Sequence, residues 1–408
     1  MIASNPKENT PTDASVLTRS PAAEPARPFA RDDFDRDVWS ILGLPIDIAT
    51  APEAVQAIEL AARDRAPLSF VTPNVNFLVR ATKDPEARRQ IVDADLSLVD
   101  GAPLVAIGRL LGVPIRERCA GSDVFDALRL RPGFPGRRLR VFFFGGRDGS
   151  GAAAAAAIDA EKRGVESAGC LNPGAGDVAS MSSDAIIERI NAAGADFILV
   201  ALGAAKGQAW IDRNRRRLTA PVIAHLGAVI DFAAGSIARA PLWVRRTGFE
   251  WAWRIKEDPT LWRRYWGDGL ALVALLAGRL APALLGRGQA SKSRPVIAIR
   301  KIAGGLAIEC RGDLVADELG EVRRAFREAA RETVDVVLDL GKAGRIDSAF
   351  LGLVLMLEKN LRANGVGIAI ANASKRQRRL LAAHAMDYPV AGGLADKIAT
   401  DRRIAAAV

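Results

Sequence analysis

The sequence of 408 residues predicts an α/β protein with two domains. Short and almost continuously apolar runs alternate with amphipathic stretches along most of the chain, which is the pattern of parallel strands covered by helices on both faces. This alternation is interrupted between residues 239 and 295, where the sequence is first basic and rich in tryptophan and then rich in small polar residues. The chain is therefore expected to divide there.

The first domain is predicted between residues 38 and 238, after a tail, 1–37, with five prolines and no apolar segment. The tail is expected to be disordered, and it is not a signal peptide. The predicted strands are 68–71, 96–99, 139–144, 196–201 and 222–226, and the predicted helices are 52–64, 75–92, 151–163 and 183–193. In a parallel sheet of this kind, ligands bind at the carboxyl ends of the strands.

The few histidines and cysteines exclude several kinds of site. His225 and His384 are far apart in the sequence, and so are the three cysteines. Neither set has the spacing of a metal centre, and the cysteines do not suggest a disulfide framework. A protein that works in a reducing compartment and without a metal is therefore expected.

Residues 239–286, here called the appendage, are basic and aromatic. Of a net charge of +10, most arises between residues 239 and 294, where eleven Lys and Arg face four acids, and five of the seven tryptophans lie there too. This composition suits an anionic membrane surface or single-stranded nucleic acid. Its last part, 269–286, is apolar but interrupted by Arg279 and Pro282, so it falls short of the roughly 20 residues of a spanning helix. It is expected to lie in the membrane interface or to pack on a partner.

A linker at 287–295 is followed by a smaller α/β domain, predicted over 296–408. Its expected strands are 296–302, 305–310, 334–340 and 366–371, and its expected helices are 314–331, 350–363 and 374–385.

Asp100 is the first candidate for chemistry. The Asp100-Gly101 pair directly follows a predicted strand, where it would make a tight turn or would place a carboxylate at the ligand-binding edge. Thr72 and Asn74 follow the neighbouring predicted strand, and Arg118 comes shortly after Asp100. The residues alone leave both interpretations open.

Five blocks in order resemble the TagA/CpsF-type glycosyltransferases over residues 40–268. They are "VTPNVNFLVRA", "ADLSLVDGAPLV", "RLLGVPIRERCAGSDVF", "FFFGG" and "DFAAGSIARAPLWVRRTGFEWAWRIKEDPTLWRRYW". The resemblance implies a Rossmann-like sheet and an enzyme that moves a sugar from a UDP-sugar to a polyprenyl-diphosphate-linked acceptor, with inversion. It also implies work at the inner face of the cell membrane, in envelope or exopolysaccharide synthesis, with no metal or other cofactor.

The same resemblance implies roles for individual residues. Asp100 would be the base that deprotonates the acceptor and Thr72 a second catalytic residue, while Asn74 and Arg118 would bind substrate. Arg118 in a surface ion pair with Glu117 or Asp123 is the alternative. A diphosphate leaving group without a metal needs arginines, backbone N–H groups or helix amino termini. Gly145 and Gly146 would supply such N–H groups, unless they only form a tight turn.

One motif departs from the family pattern. Where the family has Gly-x-Pro-Lys-Gln-Glu-x-x-Trp, residues 203–210 read GAAKGQAW. Lys206 keeps its place and Trp210 comes one position before the family's tryptophan, while Ala205, Gly207 and Gln208 replace proline, glutamine and glutamate. Lys206 is expected to bind substrate. The change leaves the donor sugar open and allows a second function, a non-catalytic scaffold with a degenerate transferase domain.

The appendage matches the family's carboxyl-terminal part, which supports membrane association. This favours a membrane over nucleic acid, and a solvated helical face would leave the tryptophans unexplained. The residues expected to meet anionic lipid or the acceptor are Arg239, Arg245, Arg246, Arg254, Arg263 and Arg264.

The stretch "VVLDLGKAGRIDSAFLGLVLMLEKNLRANG" resembles a STAS domain, the fold of anti-sigma factor antagonists. This implies a regulatory module with a possible protein partner. Ser348 lies where phosphorylatable members carry their serine. It would be a phosphorylation site or, equally, the N-cap of a helix.

Overall fold

A computed structural model describes residues 32–134, 136–288 and 293–391, except for the side chains of Leu242 and Arg246. Most of the predicted tail lies outside the described residues. The strands are β1 (Val38–Ile41), β2 (Leu44–Asp47), β3 (Leu68–Val71), β4 (Leu96–Ser97), β5 (Leu139–Gly145), β6 (Val165–Leu171), β7 (Phe197–Ala201), β8 (Val222–His225), β9 (Val296–Ile302), β10 (Gly305–Leu314), β11 (Asp335–Ile346) and β12 (Ile368–Ala371).

The helices of the first domain are α1 (Ala51–Asp64), α2 (Val75–Lys83), α3 (Pro85–Val92), α4 (Ala102–Leu110), α5 (Gly121–Leu130), α6 (Ser150–Glu161), α7 (Asp184–Ala192), α8 (Ala204–Asn214) and α9 (Val229–Ala233). The appendage forms α10 (Leu242–Thr247), α11 (Glu250–Glu257), α12 (Trp262–Leu275) and α13 (Ala281–Gly286), and the second domain contains α14 (Gly320–Arg331), α15 (Ser348–Ala363) and α16 (Lys375–Ala383).

Six parallel strands form the sheet of the first domain, in the order β4-β3-β8-β7-β5-β6. This confirms the predicted Rossmann-like parallel sheet. The central strands are buried along their whole length, as in β7 and β8, because helices cover both faces. Since β8 lies between β3 and β7, the segments that follow these three strands meet at one edge of the sheet.

Two departures from the predicted elements have local causes. The predicted helix 75–92 is divided into α2 and α3 at Asp84, which is extended and caps α3 because Pro85 follows it. Strand β6 was not predicted, since it lies at the edge of the sheet and its residues are mostly half-buried, without a continuous apolar run.

The second domain has a four-stranded sheet of order β12-β11-β10-β9, in which β9 alone is antiparallel to its neighbour. Its helix α15 is buried on almost every side, from Ser348 to Leu357. One face covers this domain's own sheet, and the other packs on the β1–β2 hairpin of the first domain. A side chain at Gly352 would lie 2.2 Å from the carbonyl oxygen of Val38. The helix can therefore approach the backbone of the hairpin this closely only because residue 352 is glycine.

The two domains therefore share one hydrophobic core rather than touching through the linker alone. Leu42 of the first domain and Phe34, just before that domain, belong to the same buried cluster as Phe350 and Leu353 of α15. The end of the predicted tail takes part in this contact, because the Phe34 ring packs 6.5 Å from the Phe326 ring of α14. Residues 32–37 are thus an ordered part of the interface.

The appendage includes one helix, Pro259–Gly286, that is long and apolar enough to cross a membrane by length and composition among the described residues; 17% of its most apolar stretch is buried. Of the two residues that interrupt the apolar sequence, Arg279 lies in a π-helical turn, Leu276–Leu280, and Pro282 lies at the start of α13, so neither ends the helix. The first domain holds the helix in its first half and just after its end. Asn76 donates to Asp268 at 3.1 Å, and Arg287 donates to the carbonyl oxygen of Leu110 at 3.2 Å. In this arrangement the helix lies along the surface of the protein.

Candidate active site

A cavity of about 890 Å³ lies at the carboxyl edge of the parallel sheet, between the first domain and the appendage. Its inner wall is formed by the segments that follow the strands, and its outer wall by α11 and α12. Four residues predicted from the sequence line it together: Thr72, Asn74, Asp100 and Arg118. The ends of separate strands thus converge on one space, as the parallel topology requires.

Asp100 is held by the backbone beside Thr72. Its N–H donates to the carbonyl oxygen of Pro73 at 2.8 Å, which joins the segment after β4 to the segment after β3. The following Gly101 has φ +87° and is the N-cap of α4. The Asp-Gly pair therefore does form a tight turn, at which α4 begins. The carboxylate is nevertheless 24% exposed and lines the cavity. The two sequence interpretations of Asp100 are therefore compatible.

The pKa of Asp100 is raised to about 6. Burial is the largest cause, because it disfavours the charged form, and the carboxylates of Glu250 and Asp123 add to it. The nearby guanidinium of Arg118, 3.8 Å away, opposes the shift. A carboxylate with such a pKa is ionised at neutral pH and is more basic than an ordinary aspartate, which suits a general base.

Arg118 joins the two walls of the cavity. It donates to Glu250 of α11 at 2.8 Å and to Asp123 of α5 at 3.2 Å. The predicted alternative pairing with Asp123 is therefore present. Glu117, the other predicted partner, instead accepts from the backbone N–H of Ala51 at 2.7 Å. Glu250 was not assigned to the site from the sequence, because nothing in a pattern of residues indicates contact across 132 positions.

Thr72 and Asn74 are held in different ways. Thr72 is buried at the end of β3, and a side chain at Gly121 would lie 3.3 Å from its methyl carbon. Asn74 is the N-cap of α2, and its side-chain oxygen accepts from the N–H groups of Asn76 and Phe77. Its amide nitrogen is the group left to contact a substrate.

The glycine loop after β5 makes a tight turn. Gly145 has φ +94°, and a side chain there would lie 2.5 Å from the carbonyl oxygen of Ala201. Neither Gly145 nor Gly146 lines the cavity, but Arg147 does, and it is paired with Asp258 of the appendage at 3.3 Å. The loop therefore brings a cation to the cavity that was not selected from the sequence. The predicted use of the glycine N–H groups stays a prediction.

Lys206 points away from the other candidates. Its ammonium group donates to the carbonyl oxygen of Gly176 at 2.7 Å, and the residue is exposed outside the cavity. Trp210 of the same motif is fully buried, stacks on Phe144 with ring centroids 4.2 Å apart, and packs the core. In this structure the motif contributes to the cavity through Gly203 and Ala204, at the start of α8.

The basic residues of the appendage fall into two groups. Arg239 and Arg245 are paired with carboxylates of α5, Arg239 with Asp123 and Asp126 and Arg245 with Asp123 at 3.0 Å. Since both are also largely covered, they fix the appendage to the first domain instead of facing a lipid surface, which corrects the prediction for them.

The other group lies further along the appendage. Arg254 and Arg264 line the cavity. Arg263 and Arg264 are exposed and lie over the rings of Trp262 and Tyr265, respectively. The side chain of Arg246 lies outside the described residues. Large apolar side chains in the same region are also exposed, and they are Trp243, Phe249, Trp251, Trp262, Trp266, Leu270 and Val273. Several of them line the mouth of the cavity, so it opens onto an apolar and basic surface.

Ser348 lies far from this cavity and is buried where the two domains meet. Its hydroxyl donates to the carbonyl oxygen of Leu111, a residue of the first domain, at 3.4 Å. The prediction that Ser348 caps α15 is wrong, because Asp347 is the N-cap and accepts from Ala349 and Phe350. Phosphorylation of Ser348 would require the domains to separate first.

The parallel sheet and the ionic side chains at its carboxyl edge are typical of α/β enzymes, which bind their ligands at the carboxyl ends of the strands. Residues 39–283, more than half of the chain, match the glycosyl transferase WecG/TagA/CpsF family, and the protein belongs to that family. Residues 298–391 match the Mlab, STAS domain family, which confirms the predicted STAS domain.

Two curated relatives bear the name N-acetylglucosaminyldiphosphoundecaprenol N-acetyl-beta-D-mannosaminyltransferase. The protein from Bacillus spizizenii is 29% identical over 195 residues, which cover 48% of this chain and 73% of the relative. The protein from Bacillus subtilis is 28% identical over 200 residues, covering 49% and 74%.

Proposed function

We propose that the protein is an inverting glycosyltransferase that moves a sugar from a UDP-sugar to a polyprenyl-diphosphate-linked acceptor in envelope or exopolysaccharide synthesis. The observation that carries the proposal is the position of Asp100. It lies at the carboxyl edge of the sheet, in a cavity large enough for a nucleotide sugar, with Arg118 beside it. The names of the curated relatives support the polyprenyl-linked acceptor.

In the proposed reaction Asp100 takes the proton of the acceptor hydroxyl. The hydroxyl oxygen forms a bond to the anomeric carbon of the donor, and the bond from that carbon to the diphosphate oxygen breaks, so that UDP leaves with the electron pair. One displacement inverts the anomeric centre. Thr72 and the amide nitrogen of Asn74 line the same wall and would orient the sugar.

The negative charge that develops on UDP needs cations in place. Arg118 and Arg147 both line the cavity, and each is paired with an acid of the appendage, Glu250 and Asp258 respectively. A bound diphosphate would compete with these two acids for the guanidinium groups. The carboxylates of Glu250 and Asp258 thus lie at the positions on the two arginines where phosphate oxygens are proposed to bind. That no metal is needed stays a prediction.

The appendage is proposed to hold the protein at the inner face of the membrane. Its exposed tryptophans suit the headgroup region, and Arg263 and Arg264 suit anionic lipid. Because Trp266, Leu270 and Val273 lie both on the exposed surface and at the cavity, a lipid-linked acceptor would reach Asp100 without leaving an apolar surface.

Incubating the purified full chain with a panel of UDP-sugars and a short polyprenyl-diphosphate acceptor tests the proposal. Transfer of one sugar with release of UDP is expected, and its anomeric configuration should be opposite to that of the donor. Binding of UDP-sugars without transfer to any acceptor tried would instead favour the non-catalytic scaffold.

A further inference from the structure

His225 is a buried polar residue of the cavity that the proposed reaction does not use. It is the last residue of β8, the strand between those that lead to Thr72 and Gly203, and its side chain is 8% exposed. The ring lines the cavity, yet its Nε2 atom has no hydrogen-bond partner among the described residues. The Nε2 atom is itself buried, between Gly207 and Gly227. Leaving a buried polar atom unpaired is unfavourable, so such an atom in a residue that lines a cavity points to a partner that arrives with a ligand.

The space for this ring is made by two glycines. A side chain at Gly207 would lie 2.1 Å from the Cδ2 atom and 2.9 Å from the Nε2 atom of His225, so a residue of any other type would displace the ring. Gly227 lies on the other side, where a side chain would be 3.4 Å from the Cε1 atom. Gly207 belongs to the altered motif at 203–210. The histidine and the altered motif are therefore one structural feature.

The position and the charge state of the ring select the ligand group. Burial lowers the pKa of His225 to about 4, so the imidazole is neutral at neutral pH and offers one donor and one acceptor. A neutral ring suits a hydroxyl or an amide better than a phosphate. The strand that His225 ends is paired with β3, and the following Leu226 lies with Thr72 against Gly121. In the proposed reaction the anomeric carbon lies beside Asp100 and Thr72, so we expect the sugar to be the part of the donor nearest to the ring.

We infer that His225, in the space left by Gly207, hydrogen-bonds a hydroxyl or acetamido group of the transferred sugar and thereby sets which donor the enzyme accepts. This inference rests on the proposed function. It assigns a specificity role to the altered motif. The glycine at position 207 leaves the space in which the imidazole ring of His225, from β8, forms part of the cavity wall.

Donor selectivity measured on the full chain tests it. For His225→Phe, kcat/KM for the preferred UDP-sugar should fall roughly 3- to 10-fold, the equivalent of one hydrogen bond to an uncharged group. The advantage over the second-best donor should shrink by the same factor, while the affinity for UDP itself stays within twofold. His225→Gln, which keeps a polar group, should retain more of the selectivity than His225→Phe.

Gly207 supplies an independent variant in case His225→Phe folds poorly. Gly207→Ala should reproduce the loss of selectivity with the histidine intact, whereas Gly320→Ala, at a helical glycine with open space around it, should have no effect. Gly207→Gln alone places a side chain against the His225 ring, and His225→Gly removes that ring. The effects of the two substitutions, made singly and together, should therefore be clearly non-additive.

The outcomes separate this inference from the proposed function. If the wild-type protein neither binds nor transfers any UDP-sugar, both fall. If the wild type discriminates among donors and His225→Phe and Gly207→Ala discriminate equally well, only the inference about His225 is overturned.

Discussion

Arg118 of the first domain donates to Glu250 of the appendage at 2.8 Å while its guanidinium lies 3.8 Å from Asp100. One arginine thus connects the candidate base, the first domain and the segment proposed to meet the membrane. Because Glu250 also helps to raise the pKa of Asp100, the position of the appendage affects the basicity of the candidate base.

Asp100→Asn should lower turnover by about 10²- to 10⁴-fold, the usual contribution of a general base. The asparagine side chain has the shape of aspartate and should preserve the turn before α4, but it cannot accept the proton. Since burial makes the charged carboxylate unfavourable in the fold, the variant should melt at the wild-type temperature or above it at neutral pH. Turnover within a few fold of wild type, with UDP binding intact, would remove Asp100 from the mechanism.

The rate should fall as the pH drops through about 6, because Asp100 is then protonated and no longer accepts a proton. Glu250→Gln removes a negative charge that raises this pKa, so the acidic limb of the pH–rate profile should move to lower pH. Profiles of kcat/KM for wild type and variant measure both effects. An unchanged or higher apparent pKa in Glu250→Gln would contradict the link between the appendage and Asp100.

The main elements of the first domain and four residues of the cavity were predictable because the information is local. Continuously apolar runs predict buried parallel strands, and polar residues directly after them predict the site. The β1–β2 hairpin was not predictable, since its burial depends on α15, about 300 residues later. The orientation of Lys206 and the pairing of Arg118 with Glu250 likewise depend on tertiary contacts. The sequence of α15 is apolar on all sides of the helix, and this pattern indicates that a second surface covers it besides its own sheet.

Binding to anionic vesicles should separate the two groups of appendage arginines. Arg263→Gln with Arg264→Gln should weaken sedimentation with vesicles at low salt, since each exposed basic residue near an anionic surface contributes about 1 kcal/mol. Arg245→Gln is the control, because Arg245 is paired with Asp123 and largely covered. Equal losses from both changes would show that pairing does not keep Arg245 from the lipid.

The apolar part of this surface should respond differently to salt. Replacing Trp266, Leu270 and Val273 by Ser should weaken vesicle binding to a similar degree at low and high salt, because burial of apolar surface is not screened. Full retention of binding by this triple variant would mean that the exposed apolar surface of α12 does not meet the membrane.

A chain that ends at residue 288 should be poorly soluble or unfolded, even though a linker precedes the second domain. Cutting there removes α15 and exposes the β1–β2 hairpin, whose residues are buried in the shared core. Far-UV circular dichroism and gel filtration of the truncated chain check this expectation. A soluble, cooperatively melting and active fragment would show instead that the hairpin finds another cover.

Ser348 provides a sharper test of how firmly the domains are joined. Ser348→Ala should be nearly neutral, because its hydrogen bond to Leu111 is long and Asp347 caps the helix. Asp347→Ala, in contrast, should lower the free energy of unfolding by about 0.5–2 kcal/mol, the usual effect of losing an N-cap. Ser348→Asp should be the most damaging of the three, since it adds a charge at a buried position beside Asp347, and burying an unsatisfied polar group alone costs about 1–3 kcal/mol. Denaturant unfolding of the three variants decides the order. If Ser348→Asp is as stable as wild type, the domain interface opens easily, and Ser348 is then accessible as a phosphorylation site.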